Sequence, residues 1–163
     1  MKKYLLGLGL LCTTFLVMVS CYVEPLAPGV KLDPLAEEEI RFKVSMQDTV
    51  FVADTVRAEV QSGTIRVIAR NTGLGRFNLK VNGVNLGEYT NESAEIIYTN
   101  IDHTAIYTNT NPDTGSRTAT IRITSIDYEN KKISGTFSFL GYKQGSNHTL
   151  LFTDGAFTNV SYN

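Results

Sequence analysis

Any catalysis in this chain would have to be built from two histidines, two cysteines and a handful of acids, and their spacing assembles no reactive centre. His103 and His148 each stand in a polar turn or at a strand edge. A zinc site draws on three or four Cys, His or acidic ligands at recognisable intervals, and no such interval occurs. Asp102 lies beside His103, but triad roles are set in space rather than by adjacency, and no GxSxG elbow supplies a nucleophile. From Asn109 to Gly115 oxygen-bearing side chains fall two apart, as in a calcium loop. The glycine comes one place late and Thr120 stands where the bidentate Glu belongs, so this stretch reads as a chain reversal. Gly73-Leu74-Gly75 lacks the third glycine and the following helix of a dinucleotide loop, and reads as a turn. Asp127, Glu129 and Asp154 could serve as a glycosidase pair only if two of them came within about 5–9.5 Å; solvated loop acids are the simpler expectation. The chain is therefore expected to be no enzyme and to use neither metal nor cofactor.

What must position these residues is a set of strands, organised around Arg117 to Tyr142. Ala119, Ile121 and Ile123 alternate with Thr118, Thr120, Arg122 and Thr124; after a polar break Ile133, Gly135, Phe137 and Phe139 alternate with Ser134, Thr136 and Ser138. Successive strand side chains point to opposite faces, so each run makes one apolar and one hydroxyl-rich face, and the short break folds them into an antiparallel hairpin. Upstream, Val56, Ala58 and Val60, then Ile65, Val67 and Ala69, then Phe77, Leu79 and Val81 repeat that alternation between turns at Ser62-Gly63, Asn71-Thr72-Gly73 and Asn82-Gly83. Weaker strand signals follow at Gly87 to Tyr89, Glu95 to Thr99 and Ala105 to Thr110. Two more close the chain, His148 to Thr153 and Ala156 to Tyr162, on either side of a turn at Asp154-Gly155. The expected fold is all-β, an antiparallel sandwich or partly open barrel of about nine or ten strands. The lipid-facing pattern of a transmembrane barrel is absent, because the runs are mostly shorter than ~9 residues and alternate with Arg and Lys on their outer faces.

The first segment has a different character. Lys2 and Lys3 precede the apolar run YLLGLGLLCTTFLVMV, too short and interrupted for a comfortable membrane span but shaped like a secretory signal peptide. It closes on Met18-Val19-Ser20-Cys21, which resembles a bacterial lipobox with Cys21 as the lipidated residue; Cys12 lacks the small residue before it. Residues 1–20 are thus expected to be a lipoprotein signal peptide and 21–39 the lipidated Cys and a Pro/Glu-rich tether, with a single β domain over 40–163. Pro25, Pro28 and Pro34 keep the tether extended, with a reach of roughly 55 Å. Multiple acylation would hold Cys21 stably, where a single chain would not.

With 42% hydrophobic and 19% charged residues the composition suits one globular core. Both cysteines precede that core, so it carries no internal disulfide. The formal charge of −1 would become about −3 once Lys2 and Lys3 left with the leader, and no basic cluster points to nucleic acid.

In Ile133 to Phe139 (ISGTFSF), Thr120 to Thr124 (TIRIT) and Thr153 to Tyr162 (TDGAFTNVSY), together with the leader, the chain resembles a family of small uncharacterised all-β lipoproteins of the Bacteroidota. The resemblance implies a fold and an address: a lipid anchor in the outer membrane, on the periplasmic or the cell-surface face. It implies no activity. Asp48-Thr49-Val50 and Asp54-Thr55-Val56 resemble the O-glycosylation signal of such bacteria, which would make Thr49 and Thr55 acceptors.

Tyrosines remain as a binding feature. Tyr98, Tyr107, Tyr128 and Tyr142 are candidates for an aromatic binding surface toward a glycan or an envelope protein, cross-strand packing being their other use. The functional expectation is a non-catalytic binding or structural module of the cell envelope; a lipocalin-like small-ligand carrier is the alternative, and would need a lined cavity.

Overall fold

The computed structural model describes residues 40–163; the leader, Cys21 and the tether through residue 39 lie outside the described residues. Eleven strands make one antiparallel sheet. In chain order they are β1 (Phe42–Met46), β2 (Thr49–Val52), β3 (Thr55–Gln61), β4 (Thr64–Asn71), β5 (Gly75–Asn82), β6 (Gly87–Thr90), β7 (Ala94–Asn100), β8 (Ile106–Thr108), β9 (Thr120–Asp127), β10 (Lys132–Lys143) and β11 (Thr149–Ser161). The order across the sheet is β2-β1-β11-β10-β8-β7-β5-β4-β3, with β9 and β6 on a branch beside β10. A parallel bridge from Ala58 of β3 to Tyr162, just past β11, curls the sheet back on itself. The result is the partly open barrel of the two architectures expected.

The branch has a local cause. β10 is long enough to pair with β8 at its far end, through Tyr142 and Lys143, and with β9 along the rest. Asn109 fills the fork between them. It is fully buried; its Oδ1 accepts from the Ile96 N–H at 2.9 Å and its Nδ2 donates to the Ala94 carbonyl at 3.1 Å. Its amide thus satisfies β7 backbone groups where β8 has ended, as a buried ladder requires. Thr118 closes the other side by donating to the Leu140 carbonyl at 2.7 Å.

Alternation decides what is inside. On β4, Ile65, Val67 and Ala69 are buried while Arg66 and Arg70 are exposed, and on β5 Phe77, Leu79 and Val81 are buried while Arg76 is exposed. Two corrections concern the ends of the sheet. Phe42, Val44, Met46 and Phe51 are buried on two strands not anticipated, β1 and β2. Asp154-Gly155, expected as a turn, lies within the continuous β11. Asp154 and Asn159 both have left-handed backbone (φ 52° and 49°) where the register against β10 slips. Each is therefore a bulge, and the same positive-φ preference that suits Asp-Gly to a hairpin suits it to this kink. The inward residues of β11 are accordingly Phe152, Gly155, Phe157 and Val160 rather than a strict alternate series.

Glycine and phenylalanine face each other across β10 and β11. Gly135 pairs with Phe157, Phe137 with Gly155, and Phe139 with Phe152. A Cβ on Gly155 would stand 2.7 Å from the Phe137 ring, and one on Gly141 2.7 Å from the Phe152 ring. Each glycine therefore leaves the room that a ring occupies, which is how a curved sheet seats large side chains without strain. Phe139 and Phe152 stack at 4.2 Å with an interplanar angle of 1°. From there the rings run on through Phe77, Phe42 and Phe51, all within 6 Å of a neighbour, and fill the barrel axis.

Candidate binding surface

Two of the four candidate tyrosines are not surface residues. Tyr98 is 6% exposed and Tyr107 9%. Tyr98 stacks on Phe77 at 4.7 Å and donates its hydroxyl to the Leu74 carbonyl at 2.7 Å, while Tyr107 stacks on Tyr98 at 6.2 Å. They share the inward phase of β7 and β8, and the amphipathic phenol lets the ring pack while the hydroxyl reaches the barrel end. Burial, followed by the neighbouring Tyr107, raises the Tyr98 phenol above its ordinary pKa of 10.0. Tyr128 is 69% exposed in the β9–β10 turn, with its hydroxyl 3.5 Å from the Val84 carbonyl. Tyr142 is half-buried near the opposite end of β10, on the order of 30 Å away by the strand rise. The four do not make one aromatic face.

The candidates for chemistry are scattered as well, only Asp127 and Glu129 sharing one turn, between β9 and β10. His103 sits in the β7–β8 loop, and His148, before β11, meets the Tyr107 ring edge-on at 6.5 Å. Asp127 holds its own turn by accepting the Asn130 N–H at 2.8 Å, the main reason its carboxyl lies below the ordinary value of 3.8. Asp154 lies farther along β11 by on the order of 20 Å, beyond the reach of a glycosidase pair. Asn111 Oδ1 accepts from the Asp113 and Thr114 N–H groups and Asn109 Oδ1 from the Ile96 N–H, so these two amide oxygens of the Asn109–Gly115 stretch are spent on backbone. Among the described residues no group of three or more His, Cys, Asp or Glu is placed to hold a metal, and no helix is long and apolar enough to cross a membrane. Thr49 and Thr55 are both exposed at the starts of their strands.

Hollows open on the outside of the barrel. A trough of about 520 Å³ crosses the outer face of β9, β10 and β11 between Glu88, Arg122, Thr136, Ser138 and Asp154, on the hydroxyl-rich side of the central hairpin. A second, of about 340 Å³, opens at one end of the barrel between the β4–β5 turn and the β7–β8 loop, with Arg70, Arg76, Thr99 and His103 among its lining. Both turns are tied in place. Asn71 Oδ1 accepts from Gly73 and Leu74 at 2.9 and 2.8 Å while its Nδ2 donates to the Val52 carbonyl. Asn100 likewise accepts from the Ala105 N–H and donates to Thr104. Asp54 accepts the Thr72 N–H, which depresses its carboxyl pKa below 3.8. Sequence reasoning missed this end because Arg70 and Arg76 meet only through the β4–β5 register.

A family model described as a domain of unknown function (DUF6252) matches residues 38–161, the whole of the β domain but its last residues. No curated protein and no solved structure matches the chain.

Proposed function

The chain belongs to the DUF6252 family, and from that premise we propose that it is a lipid-anchored cell-envelope protein whose β domain acts by binding, without catalysis, through its outer surface. One observation carries this reading: the rings of Phe42, Phe51, Phe77, Phe137 and Phe152 pack together inside the barrel, while on β4 and β5 the charged Arg66, Arg70 and Arg76 face out. Recognition on the outside is what such a body offers. A lipocalin-like carrier, the alternative, needs an enclosed cavity of ~300 Å³ or more, and the close ring contacts along the axis favour the outer-surface reading over it.

The address rests on the leader. Lys2, Lys3, the apolar run, Ser20 and Cys21 follow one another as a bacterial lipoprotein of the Bacteroidota type would have them. Cys21 is then the lipidation site, the membrane partner is reached through acyl chains, and the domain stands at the outer membrane on its periplasmic or surface face. A glycan or an envelope protein is the partner class this reading favours; nucleic acid is disfavoured by a net charge of −1.

Replacing Cys21 with Ala tests the anchor. Acyl labelling should disappear and the protein should leave the membrane fraction; unchanged membrane association would contradict the proposal. Capture of a glycan or envelope protein by the wild-type full-length chain, absent from a heat-unfolded sample, tests the binding role.

A further inference from the structure

The outer face of β3, β4, β5 and β7 carries two parallel cross-strand rows that differ in charge. In one, Glu59 lies opposite Arg66, Arg66 opposite Lys80, and Lys80 opposite Glu95. Two bases flanked by two acids make a neutral row. In the other, Thr55 lies opposite Arg70, Arg70 opposite Arg76, and Arg76 opposite Thr99. Two arginines face each other directly with a threonine at either end, and among the described residues neither takes part in an ion pair. Like charges directly opposite on a sheet repel; Arg66 and Lys80 also face each other, but each has an acid on its other side, whereas Arg70 and Arg76 have only threonines to offset theirs.

Arg70, Arg76 and Thr99 of the second row line the 340 Å³ hollow at the barrel end, a volume at the lower end of the range for small-ligand sites. Both guanidiniums are exposed. Neither Asp54 nor Asp102 is among the lining residues, and neither makes an ion pair with Arg70 or Arg76. Thr99, 4% exposed, and His103, held at a left-handed φ of 58°, complete the polar part of the hollow, and Ile101 gives it an apolar side at 46% exposure. Because Asn71 and Asn100 lock the two bordering turns, the arginine strands are presented on a fixed frame.

We propose that Arg70 and Arg76 form a paired-guanidinium clamp that binds an oxyanion, the carboxylate or sulfate group of an acidic sugar. Each guanidinium offers a planar fork of donors matched to such a group, and one anion between two forks relieves the repulsion of the empty row. The sugar ring then lies toward Thr99 and Ile101. This inference rests on the reading of the domain as an envelope binding module with a glycan as partner. Its test is independent of the anchor, since the clamp is read out on purified protein wherever Cys21 sends it.

The measurement is the arginine ¹⁵Nε NMR spectrum of the full-length chain in detergent micelles at ~0.15 M salt, where long-range attraction between exposed charges is largely screened. The probes are glucuronate, glucose 6-sulfate and neutral glucose. Saturable shifts at Arg70 and Arg76 with either acidic probe, and none with glucose, are expected; the probe that binds identifies the preferred oxyanion. R70Q/R76Q should weaken binding at least about tenfold, whereas R66Q/K80Q in the neutral row should leave it unchanged. Both double variants are on the exposed face, and their thermal melts confirm that they are folded. No saturable shift with either acidic probe, or an equal response at Arg66, would overturn the clamp.

Discussion

Arg76 and Phe77 are neighbours on β5, yet Arg76 faces water beside Arg70 while Phe77 meets the rings of Phe42, Phe51, Tyr98, Phe137 and Phe152. The inner position is bounded on every side by shape, so its residue type is dictated by packing. The outer position is bounded only by register and charge. Stability therefore resides on one face of each strand, and the other face is free to vary.

Putting a charge among the rings breaks that division most severely. Phe137→Asp should abolish cooperative folding, since an unpaired buried carboxylate costs several kcal/mol against a total of about 5–15. A native-like denaturation curve for this variant would show that the inner face is wrongly assigned. Gly155→Val would drive a side chain into the Phe137 ring, and a loss of about 1–3 kcal/mol in urea unfolding is expected. Tyr98→Phe leaves the stack intact and removes only the bond to the Leu74 carbonyl, so about 1 kcal/mol should be lost with no change in core spectra. Arg76→Thr should act the other way, raising stability by a few tenths to about 1 kcal/mol, whereas Lys80→Thr, which gives up a charge opposite Glu95, should bring no gain. Equal effects of those two variants would erase the distinction between the rows.

The smallest effect is electrostatic and local. Asp54 has a folded-state pKa depressed by the Thr72 N–H, so its contribution is present above the unfolded carboxylate pKa and fades as pH falls through the folded value. The Thr72 amide proton shift should therefore titrate with a midpoint below 3.8. A midpoint at or above it would mean that the carboxylate is not engaged.

Inner faces were legible from sequence wherever alternation was unbroken: Ile65 to Ala69, Phe77 to Val81 and Ile133 to Phe139 need no register to be assigned. Asp154-Gly155 misled because positive φ serves both turns and bulges, and only the pairing of Phe137 with Gly155 distinguishes them. Phe42, Val44 and Met46 did alternate, but a strand of five residues gives a short signal. Tyr98 and Tyr107 were ambiguous by chemistry, since a phenol suits a rim as well as a core; the phase of Tyr98 with Ala94 and Ile96 was the available clue. The arginine row could not be read from the chain at all, because Arg70 and Arg76 are turned toward each other only once the β4–β5 register is set.

That the barrel axis is filled, leaving function to the outside, is tested most directly by NMR of methyl groups under xenon pressure. The methyl resonances of Ile65, Ile96 and Ile121, all buried on the inner face, should stay in place as xenon is added to the folded full-length chain. Saturable shifts confined to those methyls would reveal an enclosed apolar cavity and contradict the account.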